Sequence, residues 1–577
     1  MSNHTTTYPP SKTDDTEHEH NHVRSGLEEY ERSLEGRPPW MLTTTELKLL
    51  GIAGIGFFLD AYDLFIINPV ATMLQYRLYG GNSLPANLEG FVKASANIGS
   101  VIGQFLFGYL ADALGRRRVY GKELMLIIIA TILCLTTPTG SISPNSSLIY
   151  LGMFRILLGV GVGGDYPMSA TVTSDRAVIR RRGAMLSYIF ANQGWGSFVG
   201  SIVTMIVLQC YKNVMQAGKT SKVDGVWRIV IGLSLIPAFA TLYQRLTLPE
   251  ARRYEAARKM EEEDDELKRE KRAQRREDEA REKAEKGIVA DDKIVHANGS
   301  TTGSGSSTPT DPSSPQASPK KETHTPEQII EEEQGVGTRE LTRRKKSHFI
   351  EFLEYFCEWR HAKILIGTSM CWFLLDIAFY GINLNQNVVL EQIGFDGNEG
   401  TPWEKLFKIA TGNLIITALG FVPGYYVTVF TIEYLGRKWI QIQGFLLCAL
   451  FLGILAGKFT TLGTVPFIVC FALLQFFFNF GPNTTTYCYP AEVFPTRFKA
   501  FAHGLSAASG KAGAIISALA FNTLSKKIGT PAVLWIFFAC CIAGAFFTLL
   551  LPEVKGRDAD VVEAEELRAA REQKRVA

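Results

Sequence analysis

Residues Arg155–Asp175 read R-I-L-L-G-V-G-V-G-G-D-Y-P-M-S-A-T-V-T-S-D. An apolar run carrying one arginine opens into Gly159, Gly161, Gly163, Gly164 and Pro167 and sets Asp165 beside Tyr166. Small residues let helices approach closely in a bilayer. An ionisable group at that depth costs about 2.5–3.5 kcal/mol on insertion scales and so needs a partner or a function. The stretch reads as a membrane span and as half of a substrate site.

Outward from it, the 577 residues gather their apolar side chains into runs long enough to cross about 30 Å of hydrocarbon. Six fall near Leu47–Val70, Ala94–Leu114, Val119–Leu135, Leu148–Val172, Ala184–Cys210 and Val226–Leu246. Six more fall near Ile364–Leu390, Ile409–Ile432, Trp439–Ala456, Val465–Tyr489, Ala500–Thr523 and Pro531–Leu551. The expectation is an all-α integral membrane protein of twelve transmembrane helices in two six-helix bundles. Its predicted divisions are an N-terminal tail (1–46), a first bundle (47–250), a charged linker (251–361), a second bundle (362–552) and a C-terminal tail (553–577).

Arg116, Arg117, Arg118 and Lys122 follow span 2, Arg176, Arg180, Arg181 and Arg182 follow span 4, and Arg437, Lys438, Arg497 and Lys499 follow spans 8 and 10. All fall on one side, which the positive-inside rule makes cytoplasmic, along with both termini. No cleavable signal peptide is predicted, so span 1 serves as the insertion signal. The net charge of +3 sits mainly in loops and the linker and gives no nucleic-acid footprint. Asn145 heads an N-x-S triplet, but too near the membrane for a glycan to be expected.

The linker is nearly all Glu, Asp, Lys, Arg and Ala from Glu261 to Lys286, suited to a solvated helix laced by pairs three or four apart. From Ser300 to Pro319 it is Ser, Thr, Gly and Pro, with too little apolar area to order itself. Thr308, Ser314 and Ser318 precede prolines, and kinase or ubiquitin regulation of the cytoplasmic segments is the partner expected there. Nine scattered cysteines, never C-x-x-C, read as packing thiols, and the tract around His18, His20 and His22 as without a specific role. No metal and no cofactor is expected.

The chain also repeats itself. D-A-L-G-R-R (Asp112–Arg117) after span 2 matches E-Y-L-G-R-K (Glu433–Lys438) after span 8, and P-E-A-R-R (from Pro249) matches P-E-V-K-G-R (from Pro552). Matched motifs in two six-span halves imply duplicated bundles with a central cavity and alternating access. This resembles the major facilitator superfamily. The resemblance gives Asp112, Arg116, Arg117, Arg155, Glu433 and Arg437 inter-helix or gating roles. Val429 stands where the first copy has Gly108, so looser packing is expected in the second copy.

Polar residues recur where a spacer would be Leu or Val. They are Asp60 and Asp63 on span 1, three apart and so nearly on one face; Arg155, Asp165 and Tyr166 on span 4; and Asn192, Gln193 and Trp195 on span 5. Span 7 carries Trp372, Asp376 and Tyr380 on one stripe, span 10 Asn479 and Asn483, and span 11 Lys511. Singly, each has an ordinary packing explanation. Together, with Asp60, Asp63, Asp165 and Asp376 set against Lys511, they point to proton traffic. No nucleophile-base pair or phosphate-binding loop of an enzyme is present, so the chain reads as a non-enzyme.

G-G-D-Y-P-M-S-A-T-V-T-S-D (Gly163–Asp175), F-L-D-A-Y-D-L-F around Asp60, W-F-L-L-D-I-A-F-Y-G (Trp372–Gly381) and N-F-G-P-N-T-T-T (Asn479–Thr486) are together similar to the proton-coupled inorganic phosphate transporters of fungi and plants. The likeness spans all twelve predicted helices. It implies phosphate ligands at Tyr166, Gln193, Trp372, Asp376, Tyr380 and Asn483, a role for Lys511 as counter-charge, and proton coupling through Asp60, Asp63, Asp165 and Asp376. It implies phosphate and protons as cargo, the plasma membrane as location, and phosphate:proton symport as function. A glycerophosphodiester, other organic-anion or sugar symporter of the same fold, or a nutrient sensor that has lost transport, are the alternatives.

Overall fold

The computed structural model describes residues 38–177, 179–217, 219–249, 348–392, 394–395 and 400–576, with residues 259, 270–271, 273–279 and 281–282 of the linker. The histidine tract and the Ser/Thr-Pro positions Thr308, Ser314 and Ser318 lie outside the described residues. The chain divides into a large unit, Met1–Glu255 with Phe356–Ala577, and a smaller one, Ala256–Tyr355. Within the smaller unit the described linker positions are helical and exposed, and Arg275 pairs with Glu279 one turn away at 3.2 Å.

The large unit carries six spans in each half. In the first half these are α1 (Thr44–Phe65, continued by Ile67–Tyr79), α2 (Ala86–Leu114), α3 (Lys122–Leu135), α4 (Pro144–Arg176), α5 (Arg182–Cys210) and α6 (Val223–Gly232 with Leu235–Leu246). In the second they are α7 (Trp359–Asn383), α8 (Pro402–Ile416, a wide π turn Thr417–Phe421, and Val422–Leu435), α9 (Arg437–Lys458), α10 (Thr464–Asn479 with Pro482–Val493), α11 (Lys499–Ile528) and α12 (Thr530–Thr548). A last helix, α13 (Ala559–Val576), follows where the sequence predicted a tail.

Among the described residues, nine helical stretches are long and apolar enough to cross a membrane. The other three of the twelve predicted spans are α2, α3 and α5. The 14 residues of α3 extend only about 21 Å. α2 buries Ser95, Asn97, Ser100 and Gln104, and α5 buries Ser187, Gln193, Ser197 and Thr204. Both face other helices rather than lipid over much of their surface, so their mean apolarity falls. Large apolar side chains such as Ile102, Phe105, Ile129, Phe239, Leu450, Val469 and Phe546 stand exposed instead, the arrangement of a protein solvated by hydrocarbon.

The glycines of α4 work as the sequence suggested. A Cβ on Gly159 or Gly163 would run into the backbone of α2 at Ala96 or Ser100, so these two helices pack backbone to backbone. The halves meet chiefly where α2 packs on α11 and α5 on α8.

The two sequence repeats share a backbone geometry. Gly115 has φ 95° and ψ 146°, and Gly436 has φ 83° and ψ 163°, a region open essentially to glycine alone. Each glycine ends one helix and starts the next. In the second half, the Glu553 carboxylate accepts the N–H groups of Arg437 and Lys438 at 3.1 and 3.0 Å and so caps α9. Its counterpart Glu250 lies outside the described residues.

The cysteines are all free, and five are buried, but Cys210 and Cys357 are exposed near helix ends. These two depart from the expected packing role because each stands at the end of a helix rather than within the bundle.

Candidate functional site

Four helices bring most of the predicted ligands together. On α7, Trp372, Asp376 and Tyr380 follow one another at intervals of four and are buried along one stripe. The Lys511 ammonium of α11 donates to the Tyr380 hydroxyl at 2.6 Å and to Asp376 Oδ2 at 3.2 Å, and lies 4.2 Å above the Tyr380 ring. From the first half, the Tyr166 ring of α4 lies 5.1 Å from the same ammonium and 6.3 Å from the Trp372 indole. Gln193 of α5 donates to the Tyr166 hydroxyl at 2.6 Å.

A chain of hydrogen bonds closes the other side. Asn483 on α10 donates to the Tyr425 hydroxyl at 2.8 Å, and Tyr425 donates to Gln193 Oε1 at 3.4 Å. Asn483 also donates to Asn479 at 2.8 Å. Lys511, Asp376, Tyr380, Tyr166 and Trp372 are each at most 3% exposed. A cation, a carboxylate and several neutral donors are therefore buried together between the halves, where electrostatic terms are large.

The remaining predicted acids go elsewhere. Asp165 turns from the cluster to the Arg245 guanidinium of α6, 2.6 Å away, and Arg245 also meets Glu123 of α3 at 3.2 Å. α1 packs so closely here that a Cβ on Gly56 would overlap both Asp165 and Arg245. Asp60 is fully buried with Asp165, Arg245, Asp63 and Lys511 as its charged neighbours, and neither of its carboxylate oxygens has a hydrogen-bond partner among the described residues.

Asp63 has Arg155 as its charged neighbour, and Arg155 is buried, donating to the Asp63 carbonyl at 3.2 Å. Three residues of helix turn by about 300°, which leaves the side chains about 60° apart and sends Asp60 and Asp63 to different partners. Counting Lys511 alone against the deep acids needs correction. Arg155 and Arg245 are as buried as Lys511, because acids on neighbouring helices compensate them.

The repeated loops build two matching clusters at the basic end. Asp112 accepts the N–H groups of Phe501 and Ala500 of α11 at 2.8 and 3.3 Å, and Glu433 accepts that of Ala184 of α5 at 2.9 Å. Arg116 lies 3.6 Å from Asp112 and is ion-paired with Asp175 at the end of α4; Arg437 lies 2.8 Å from Glu433 and 2.7 Å from Glu492 at the end of α10. In each copy the acid reaches the other half and the arginine pairs with an acid of its own half; Arg116 also crosses, donating to the Thr496 carbonyl at 2.9 Å. Lys499 joins the first cluster, 3.1 Å from Asp175.

Helix packing follows the expectation: a Cβ on Gly108 would lie 2.8 Å from the Ala500 carbonyl oxygen, so α2 and α11 approach backbone to backbone, whereas Val429 fills the matching position with a buried side chain. The ion pair goes the other way, Glu433 lying nearer its arginine than Asp112 does. Arg117 is exposed beside Arg116 rather than within the cluster.

Sequence reading missed Arg245, Glu123, Tyr425 and His503. Arg245 and Glu123 stand near span ends beside the basic loops and read as topology signals. Tyr425 lies in an apolar run as any packing tyrosine would. His503 sits two helical turns before Lys511 on α11, its ring 5.6 Å from Trp372 and 5.3 Å from Tyr487. The i, i+8 spacing to Lys511 was the signal available for it.

Two six-helix halves joined around a buried polar centre, with paired acid-arginine loops at one end, define a multi-pass membrane transporter of major facilitator architecture. The chain belongs to the sugar (and other) transporter family, whose model matches residues 49–303 and 328–565. A Schizosaccharomyces pombe protein provisionally named an inorganic phosphate transporter is 44% identical over 560 residues, covering 95% of this chain and 93% of that one. The inorganic phosphate transporter PHO84 of Saccharomyces cerevisiae is 37% identical over 553 residues, 92% of this chain and 87% of that one. Among solved structures, the major facilitator superfamily proton:xylose symporter XylE bound to 6-bromo-6-deoxy-D-glucose aligns at a TM-score of 0.62 with 18% identity, covering 90% and 98% of the two chains. That likeness concerns the fold alone.

Proposed function

We propose that this protein carries inorganic phosphate together with protons across the plasma membrane by alternating access, its basic end and both termini facing the cytoplasm. The observation that carries the reading is Lys511, held between Asp376 and Tyr380 and ringed by the Tyr166, Gln193, Trp372 and Asn483 donors.

The charge count supplies the coupling. Lys511 and Asp376 sum to zero, and a monobasic phosphate brings the site to one net negative charge in a low-dielectric space. A proton on Asp376 restores neutrality and frees Lys511 to face the anion. Tyr166, Tyr380, the Trp372 N–H, Gln193 and Asn483 then donate to phosphate oxygens. Asp60, whose charged neighbours are Asp165, Arg245, Asp63 and Lys511 and whose carboxylate oxygens have no hydrogen-bond partner among the described residues, would hold a proton on its way. Asp63 beside Arg155 is the second such station.

The Asp112–Arg116 and Glu433–Arg437 clusters span the halves at the basic end and must separate for that end to open. The family relationship with named phosphate transporters supports the substrate.

The test is uptake of labelled phosphate into liposomes holding the purified protein. Acidifying the outside is expected to drive accumulation, and a protonophore to abolish it. If Asp376→Asn transports as the parent does and remains proton-coupled, the mechanism is wrong.

A further inference from the structure

A pocket lies between the halves, lined by α1, α5, α8 and Gln386 of the α7–α8 connection and displaced from Lys511 toward the end opposite the basic loops. Two rows of side chains lead to it from the central cluster. On α5, Gln193 is followed at intervals of four by Ser197 and Ser201; on α8, Tyr425 is preceded at the same interval by Phe421, Thr417 and Asn413. Steps of four drift by about 40° each in an α-helix, roughly 120° over three steps. The π turn Thr417–Phe421 is wider, takes back part of that drift and keeps the α8 row on one face.

Two features mark the pocket as built for a polar occupant. Ser197 Oγ and Asn413 Oδ1 both line it, are buried, and have no hydrogen-bond partner among the described residues. The second feature is a partition. Phe65 of α1 lies 6.1 Å from Phe421 edge to face, and stacks on the other side against Tyr380 at 6.1 Å and 14°.

Tyr380 is the Lys511 partner, so these rings form the wall between pocket and central cluster. Both phenylalanines stand at helix irregularities. Phe421 closes the π turn, and Phe65 precedes the break of α1 at Ile66, where Pro69 lacks the N–H that would bond the Phe65 carbonyl. Such places bend at low cost.

We propose that this pocket is an outer binding station for the transported oxyanion, reached from outside, with Phe65 and Phe421 as the partition that opens toward Lys511. The proposal rests on the phosphate reading above. Serine hydroxyl and asparagine amide offer both donors and acceptors, matching monobasic phosphate, which has both. With no cation in its lining, the station binds weakly, as a waiting site must if the anion is to move on.

Ser197→Cys is introduced into a Cys210→Ser parent, since Cys210 is exposed at the same end of α5. Reconstituted protein is treated from outside with a membrane-impermeant thiol reagent, with and without inorganic phosphate. Labelling at position 197 is expected. Because occupancy divides the free fraction by 1 + [L]/Kd, phosphate at about ten times its dissociation constant slows labelling roughly tenfold. The slowing is expected to persist when Lys511→Met is added.

No reaction from outside overturns the proposal, and so does protection that vanishes with Lys511→Met, which would make the pocket a passage and not a station. Phe421→Ala is expected to speed outside labelling of Gln193→Cys severalfold, and an unchanged rate overturns the partition. Phosphate uptake by the Cys210→Ser parent is measured in the same vesicles. Absent uptake with an accessible, phosphate-protected position 197 removes the transport reading and leaves the station standing.

Discussion

Arg245 Nη1 lies 2.6 Å from Asp165 Oδ1, joining α6 to α4 at full burial, with Glu123 as a second acid 3.2 Å from the same nitrogen. One guanidinium thus serves two carboxylates. Removing the shared partner leaves both acids uncompensated, and breaking a buried pair in this way costs about 3–5 kcal/mol. Asp165→Asn still leaves Arg245 a counter-ion in Glu123. Thermal unfolding in detergent is therefore expected to rank Arg245→Met well below Asp165→Asn. The opposite order would mean that the pair contributes nothing to holding these helices together.

Lys511 gives a prediction about binding rather than stability. A hydrogen bond to a charged partner is worth about 1.5–3 kcal/mol, so Lys511→Met is expected to weaken phosphate binding by roughly 10- to 100-fold. Asp376→Asn behaves differently, since an amide already supplies the neutrality that a proton would bring. Binding is expected to survive, while the fall in uptake as external pH rises is expected to flatten. Equilibrium binding and a pH series of initial uptake rates separate the two. A steep pH dependence in Asp376→Asn would place coupling on another acid.

Much of the fold was legible because hydrocarbon demands long apolar helices, and because a duplicated chain repeats its turn chemistry, as the loops at Gly115 and Gly436 do. The stripe of Trp372, Asp376 and Tyr380 on α7 could be read from spacing, while the expectation that it binds phosphate rested on the family resemblance. The Asp165–Arg245–Glu123 triad could not, because its members come from three helices whose relative rotation no local pattern encodes. Tyr425 was hidden for the same reason: its hydroxyl meets Gln193 and Asn483 only once α5, α8 and α10 have packed. The distinct neighbours of Asp60 and Asp63 likewise depend on a rotation of about 60°, which is finer than a reading of helical faces resolves.

The two matched glycines carry a backbone prediction. At φ 95° and 83° with ψ near 150°, a side chain is strained by about 1–3 kcal/mol. Gly115→Ala and Gly436→Ala are each expected to lower thermal stability by an amount in that range. The effects are expected to be nearly additive in the double variant, because the two glycines lie in different clusters. A neutral result at either position would mean that its turn relaxes to an ordinary conformation.

The C-terminal helix α13 rests on the basic end through its acids. Asp560 accepts the Thr496 N–H at 2.7 Å and the Thr496 hydroxyl at 2.6 Å, Glu563 lies 3.3 Å from Arg497, and Glu566 lies 3.2 Å from Arg360. These contacts are not equivalent. Burial pushes the Glu563 carboxyl above its ordinary range, and the nearby Arg497 only partly offsets this. A carboxyl raised in the docked state favours docking while it is protonated, below its free value, and loses that contribution as pH rises through the raised value. Glu563→Gln is therefore expected to remove this pH dependence and to leave α13 docked at pH 7. Asp560→Ala breaks two hydrogen bonds made by a charged acceptor and is expected to release the helix by about 1.5–3 kcal/mol. Amide hydrogen exchange over residues 559–566 reads both, and faster exchange in Glu563→Gln than in Asp560→Ala would reverse the assignment.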